Sequence, residues 1–209
     1  IRVQRWLSFA ARARSSATLS GSRAAGLSAL GFSGNKKVLL VMGGSLGAQS
    51  VNEALDAIFP WLTERYDVCH IRGKGKLNPA LEGNPAYRQF EYVSDGLADL
   101  FAAADLMVSR AGSNAIFELL ALHLPSLLIP LPLEASRGDQ ILNARYFEKM
   151  GFADVLMQND ITAASLEQAL STLEEHAPTM RKAMAESPLS NGAEAVARVV
   201  LSVAEKRHA

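Results

Sequence analysis

The stretch that decides the fold is Lys37-Val38-Leu39-Leu40-Val41-Met42-Gly43-Gly44-Ser45-Leu46-Gly47-Ala48-Gln49-Ser50, followed by VNEALDAIFPWLTERY over 51–66. KVLLVM (37–42) is an unbroken apolar run, as expected of a strand buried on both faces. The glycines at 43, 44 and 47 form a turn, and beyond it Leu55, Ile58, Phe59 and Leu62 recur at helical spacing. Strand, glycine turn and helix in this order open a parallel-sheet α/β architecture.

The same alternation continues outward. DVCHIRG (67–73) reads as the second strand, KGKLNPALEGNPAY as a polar connection, and QFEYV (89–93) as a third strand stopping at Ser94-Asp95-Gly96. A helix over LADLFAAA leads to a strand, DLMVSR (105–110), and AGSNAIFELLALH enters the next helix. PSLLIPLPL (125–133) is a strand, ASRGDQ a polar loop, ILNARYFEKMG a helix and ADVLM a short last strand. ITAASLEQALSTLEEH and AEAVARVVLSVAEKR close the chain as two helices, the first capped by Thr162 or Asp160. No internal repeat is present. Five or six β-α units make one Rossmann-like, doubly wound parallel sheet over residues 36–209, with its ligand expected beyond the carboxyl ends of the strands.

Composition sets the outer bounds. The 209 residues are 49% hydrophobic and 20% charged, enough for a sizeable core and against disorder. A single cysteine and no apolar run of the roughly 18 residues that span a bilayer lead to the expectation of a soluble chain from a reducing compartment. The chain begins at Ile1, which suggests a fragment.

The 21 basic and 21 acidic residues balance, but unevenly along the chain. Seven of the basic residues and no acid fall within residues 1–37, leaving 14 basic and 21 acidic residues, net −7, in the remainder. Such a surface argues against nucleic acid as a partner of the main body. Residues 1–35 form a basic leader or linker rich in Arg, Ser and Ala. Three readings fit it: a transit peptide, a basic amphipathic surface helix, or linker or displaced sequence with no function of its own.

Three loops at the expected ligand edge carry the chemistry. In Gly43-Gly44-Ser45-Leu46-Gly47-Ala48 the glycines allow close backbone approach, and the N–H groups of the following helix attract phosphate. This is neither a Walker loop nor a G-x-G-x-x-G fingerprint. Arg110-Ala111-Gly112-Ser113-Asn114-Ala115-Ile116-Phe117-Glu118 offers a second helix start, capped by Ser113 or Asn114, with Glu118 able to take both hydroxyls of a ribose or, alternatively, to complement the helix dipole. Two anion-ready helix starts on neighbouring strands suggest a diphosphate. In Glu134-Ala135-Ser136-Arg137-Gly138-Asp139-Gln140, Asp139 and Gln140 suit sugar hydroxyls or ordinary helix-start chemistry, and Asn143 could brace this loop.

Other constellations fail. His70, His123, His176 and His208 lack ligand spacing, Cys69 has no nearby base, and neither an Asp-x-Asp pair nor a Gly-x-Ser-x-Gly elbow occurs, so neither metal nor cofactor is expected. His70 and Cys69 read as core or strand-edge residues. Lys74 and Lys76 could meet phosphate but also fit a solvated face.

The runs VLLVMGGSLGAQSVNEAL, DLMVSRAGSNAIFELLALHLPSLLIPLPL and SRGDQILNARYFEKMGFA, in this order, resemble the C-terminal domain of the MurG family of bacterial transferases, glycosyltransferase family 28, from about Leu19 to Val203. The resemblance implies the donor-binding half of a two-domain GT-B enzyme that moves N-acetylglucosamine, with inversion, from UDP-N-acetylglucosamine to the lipid-linked muramoyl-pentapeptide acceptor during peptidoglycan synthesis. It implies donor contacts at Gly44, Ser45 and Gly47 near the diphosphate and sugar, and at Val93, through its backbone, on uracil. Gly112, Ser113, Asn114 and Glu118 would wrap the nucleotide, with Glu118 on the ribose, and Asp139 and Gln140 would lie at the sugar, Gln140 on its hydroxyls.

The family's N-terminal acceptor domain, with its acceptor loop, proposed base and membrane-contacting patch, has no counterpart in this sequence, so no catalytic residue is assigned. The implied location is cytoplasmic and peripheral, at the inner face of the plasma membrane. The family's Gly-Asn-Pro-x-Arg stretch is replaced by RWLSFAARARSSAT, which suggests a frame-displaced start before Leu19. Two alternatives stay open: the soluble subunit of a dolichol-linked N-acetylglucosaminyltransferase, and a non-catalytic nucleotide-sugar-binding module. A UDP-N-acetylglucosamine 2-epimerase shares the architecture, but its carboxylate and histidine arrangement is not found.

Overall fold

The computed structural model describes residues 20–44 and 48–189. Residues 1–19, the loop residues Ser45, Leu46 and Gly47, and the expected helix over 193–207 lie outside the described residues. The expected α/β architecture is present: a parallel six-stranded sheet of order β3-β2-β1-β4-β5-β6, with β1 Lys37–Met42, β2 Tyr66–Ile71, β3 Tyr87–Phe90, β4 Leu106–Ser109, β5 Ser126–Leu128 and β6 Ala153–Val155. The helices are α1 Arg23–Leu30, α2 Gln49–Ala57, α3 Phe59–Arg65, α4 Leu97–Ala103, α5 Ser113–Ala121, α6 Asp139–Lys149 and α7 Ala163–Glu186. Val38, Leu39, Leu40 and Val41 are fully buried, and every residue of β2 is buried, as continuous apolar runs in a covered parallel sheet require.

Several boundaries differ from the sequence expectation, each for a local reason. The helix expected across 51–66 breaks at Ile58 into α2 and α3. Pro60 has no N–H to give to the carbonyl four residues earlier, and its ring crowds that carbonyl, so the chain restarts with the proline in the first turn of α3. The third strand lies at Tyr87–Phe90, not 89–93, because its partner β2 ends at Ile71, opposite Phe90. β5 stops at Leu128, well short of 133, since Pro130 and Pro132 cannot donate to a ladder.

The closing helix α7 runs past His176 to Glu186, through Pro178, because Leu166, Leu170, Leu173, Ala177, Met180 and Met184 keep one apolar stripe buried. Its cap is Thr162, whose side chain accepts from the Ser165 N–H at 3.0 Å while Ser165 Oγ receives the Thr162 N–H at 2.8 Å.

Part of the basic leader is folded onto the sheet domain. Ser22 caps α1, its own N–H reaches Asp99 Oδ1 at 2.7 Å, and Arg23 pairs with Asp105 at 3.0 Å. α1 lies against α4 so closely that a Cβ at Gly26 would stand 2.1 Å from the Asp99 carbonyl oxygen. Only glycine permits that approach.

Candidate functional site

The chain runs from β1 to β2 and β3 on one side, then crosses to β4, β5 and β6 on the other. The strand order therefore reverses between β1 and β4, and connections leaving these two strands diverge and open a crevice at their carboxyl ends. Met42 pairs with Ser109, so the loops beginning at Gly43 and Arg110 emerge side by side at that crevice.

The first loop bends sharply. A Cβ at Gly43 would stand 2.5 Å from the Ala48 nitrogen, so the turn closes only around glycine, and Gly44 takes φ 93°, where side chains are strained. Ala48 begins α2 without any side-chain cap, and no acid occupies its first turn. The first-turn N–H groups, aligned with the positive end of the helix dipole, are left for an anion.

The second loop repeats the device. Gly112 is the N-cap of α5, which corrects the expected capping by Ser113 or Asn114. Those two residues occupy the first two helical positions and are exposed, so their amides, like those of α2, have no side-chain cap. A Cβ at Gly112 would meet nothing within 4 Å; the glycine leaves open space in front of the helix instead of relieving a contact. Glu118 lies half-buried one turn further along α5, where burial raises its carboxyl above the ordinary range.

Sequence reasoning passed over Arg110, which the fold makes prominent. Its side chain is 7% exposed and donates to the carbonyls of Ile129 at 3.1 Å and Pro130 at 3.4 Å, and to Ser50 Oγ at 3.1 Å. Among the described residues no carboxylate pairs with it, and burial lowers its pKa. A buried guanidinium held only by neutral acceptors, between two uncapped helix starts, supplies fixed positive charge under the crevice. The available signal was its position, a cation at the end of a strand at the reversal point.

In the third loop Gly138, at φ 82°, precedes α6 without a side-chain cap, and Asp139 is exposed in the first turn. Gln140 Oε1 accepts the Leu131 N–H at 3.1 Å, and its amide NH₂, a donor, has no partner among the described residues. Asn143 braces a different loop from the one expected: it donates to the Ala111 carbonyl at 3.0 Å and Ser113 Oγ at 3.4 Å, tying α6 to the β4–α5 turn. Val93 follows β3 with its side chain against the core. Of the residues expected to bind, Ser45 and Gly47 lie outside the described residues, and the others stand at the carboxyl edge in the order β3, β1, β4, β5 plus α6. His70 and Cys69 are buried within β2.

Comparison with known proteins places these features in a family. The model of the glycosyltransferase family 28 C-terminal domain matches residues 38–202. A UDP-N-acetylglucosamine--N-acetylmuramyl-(pentapeptide) pyrophosphoryl-undecaprenol N-acetylglucosamine transferase of Geobacillus thermodenitrificans is 52% identical over 171 residues, 82% of this chain and 48% of that protein. The Geobacillus kaustophilus protein of the same name is 54% identical over 162 residues, 76% of this chain and 45% of its own length. The chain thus spans about half the length of the curated relatives it matches. In fold it is similar to the crystal structure of Acinetobacter baumannii MurG, with a TM-score of 0.66 and 23% identity over 87% of this chain and 55% of that one. The kitacinnamycin glycotransferase superposes with a TM-score of 0.62 and 24% identity, over 78% of this chain and 40% of its own.

Proposed function

The chain belongs to the glycosyltransferase family 28 C-terminal domain family, and from that membership we propose that it is the UDP-N-acetylglucosamine-binding half of an inverting N-acetylglucosaminyltransferase that completes the lipid-linked disaccharide-pentapeptide of peptidoglycan. The observation that carries this reading is the pair of uncapped helix starts, α2 and α5, flanking the buried Arg110 at the reversal point of the sheet.

In the proposed reaction the 4-hydroxyl of the lipid-linked muramoyl acceptor attacks the anomeric carbon from the face opposite UDP. The new C–O bond forms as the bond to the β-phosphate oxygen breaks, inverting the centre, and UDP departs with the bonding pair. N–H groups at the starts of α2 and α5, with Arg110 beneath them, would stabilise the charge growing on the leaving diphosphate. Glu118 would accept the ribose hydroxyls, Val93 would meet uracil through its backbone, and the free Gln140 amide, beside Asp139, would donate to the sugar. Deprotonation of the acceptor hydroxyl would fall to the N-terminal domain of the complete enzyme. That domain would also hold the lipid acceptor at the cytoplasmic membrane face; among the described residues of this chain no helix is long and apolar enough to cross a bilayer.

Calorimetry with UDP, UDP-N-acetylglucosamine and UDP-glucose tests the assignment. Glu118→Ala is expected to weaken all three ligands roughly tenfold or more, the loss of hydrogen bonds to a charged acceptor. Gln140→Ala should leave UDP unchanged and weaken both UDP-sugars, whose shared hydroxyls it would meet. If neither substitution alters binding, the site assignment is wrong.

A further inference from the structure

Behind the crevice a closed hydrogen-bonded circuit joins α2 to β2 and β3. Arg72, 3% exposed, sends Nη1 to the Tyr87 hydroxyl at 3.0 Å. Asn52 Oδ1 can only accept, so His70 Nε2 carries the proton of their 2.9 Å bond; His70 Nδ1 is then an acceptor for the Tyr87 O–H, also at 2.9 Å. The Asn52 amide donates in turn to the Arg72 carbonyl at 3.0 Å, which closes the circuit. Burial and the neighbouring Arg72 pull the His70 pKa down to about 3, consistent with the neutral ring this directionality requires.

The circuit also grips the turn that follows β2. Arg72 makes a bidentate pair with Asp56 of α2 at 2.7 and 2.8 Å, while its Nε donates to the Lys76 carbonyl at 2.6 Å. Between these anchors Gly73 and Gly75 take φ 98° and 71°, and the turn projects Lys74, whose exposed ammonium has no partner among the described residues. Ile71 pairs with Met42 on one side and Phe90 on the other, so this turn stands between the glycine loop and the segment carrying Val93. A ligand reaching from the α2 helix start to Val93 passes across it. A solvated lysine needs no such support, whereas an ammonium that must meet an oxyanion does.

From this placement, and resting on the donor-binding reading above, we infer that Lys74 is a phosphate-contacting residue, with Tyr87 a positioning residue that acts through the Arg72 circuit. The chemistry recognised is a diphosphate group, esterified at both ends in the nucleotide-sugar donor and in a lipid-linked acceptor alike.

Binding of UDP, uridine and farnesyl diphosphate to the 209-residue chain and its variants, followed by ligand-observed NMR, tests the inference. Lys74→Met, an exposed change that leaves the fold intact, is expected to weaken UDP about tenfold, to spare uridine, and to be rescued by Lys74→Arg. Tyr87→Phe should weaken UDP but not uridine, and should add little in the Lys74→Met background. A loss confined to farnesyl diphosphate keeps the phosphate contact and assigns it to the acceptor. Unchanged affinity of Lys74→Met for both diphosphates overturns the inference while leaving the donor reading standing, and additive effects of the two substitutions overturn the positioning role. Failure of the unaltered chain to bind UDP overturns the donor reading itself, and failure to bind either diphosphate overturns both.

Discussion

Glu118 and Asp56 are carboxylates driven in opposite directions, and their contrast separates the binding role proposed for Glu118 from the structural role of Asp56. Burial raises the Glu118 carboxyl, and among the described residues no partner offsets it. Burial also acts on Asp56, but hydrogen bonds from Arg72 and Asn78, with the charge of Arg72, outweigh it and hold that carboxyl below the usual range. A raised folded-state pKa means that native protein binds more protons than unfolded chain, so the Glu118 contribution is present at low pH and lost as pH rises through the folded value. Asp56 behaves in reverse: its contribution is present above the unfolded carboxylate pKa and lost as pH falls through the folded value.

Glu118→Gln is therefore expected to raise the thermal midpoint at neutral pH while weakening UDP, a stability gained at the expense of binding. Asp56→Asn is expected to lower the midpoint at neutral pH and to flatten the loss of stability in acid. Thermal melts between neutral pH and the acid limb check both signs, and equal behaviour of the two variants would contradict the distinction.

At the level of elements, legibility followed the strength of the local signal. The strands over 37–42, 67–73 and 125–133 announced themselves through apolar runs punctuated by Gly or Pro, and the same punctuation marked the loops at the carboxyl edge. Boundaries were less legible because they depend on partners: β3 ends where β2 ends, which no property of QFEYV records. The helix starts of α2 and α5 are the instructive case. Residues that favour caps, Ser113 and Asn114, stand one and two positions too late, and the uncapped start is what an anion site needs. By contrast α7, away from the crevice, is capped by its own Thr162 and Ser165. Thr162→Ala should cost about 1 kcal/mol of stability in denaturant melts and leave UDP binding unchanged. Gly43→Ala forces a Cβ against the Ala48 backbone and should cost roughly 1–3 kcal/mol together with UDP binding; a silent Gly43→Ala would refute the close turn.

For the whole molecule, the balanced charge of the sequence conceals a basic leader joined to an acidic sheet domain, and the fold shows the junction is not a simple boundary, since α1 of the leader packs on α4. Arg110 and the Arg72 circuit escaped the sequence because their meaning lies in contacts between residues distant along the chain, such as Arg110 with Ser50 and Arg72 with Asp56. The chain spans about half the length of the curated relatives it matches, and the proposed reading assigns it the donor side. It is accordingly expected to bind UDP-N-acetylglucosamine but to transfer sugar to a lipid-linked acceptor hardly at all, as a radiolabelled transfer assay would register. Robust transfer by the purified chain would show that the base lies within these residues.

On the proposed reading, the two uncapped helix starts at the β1/β4 reversal bind a diphosphate. Amide hydrogen exchange of the chain with and without saturating UDP tests it most directly. Slowed exchange is expected at Gly44, at the first-turn amides of α2, and at Ser113 and Asn114, with the capped start of α7 unaffected. Exchange slowed elsewhere while these amides remain unchanged would contradict the account.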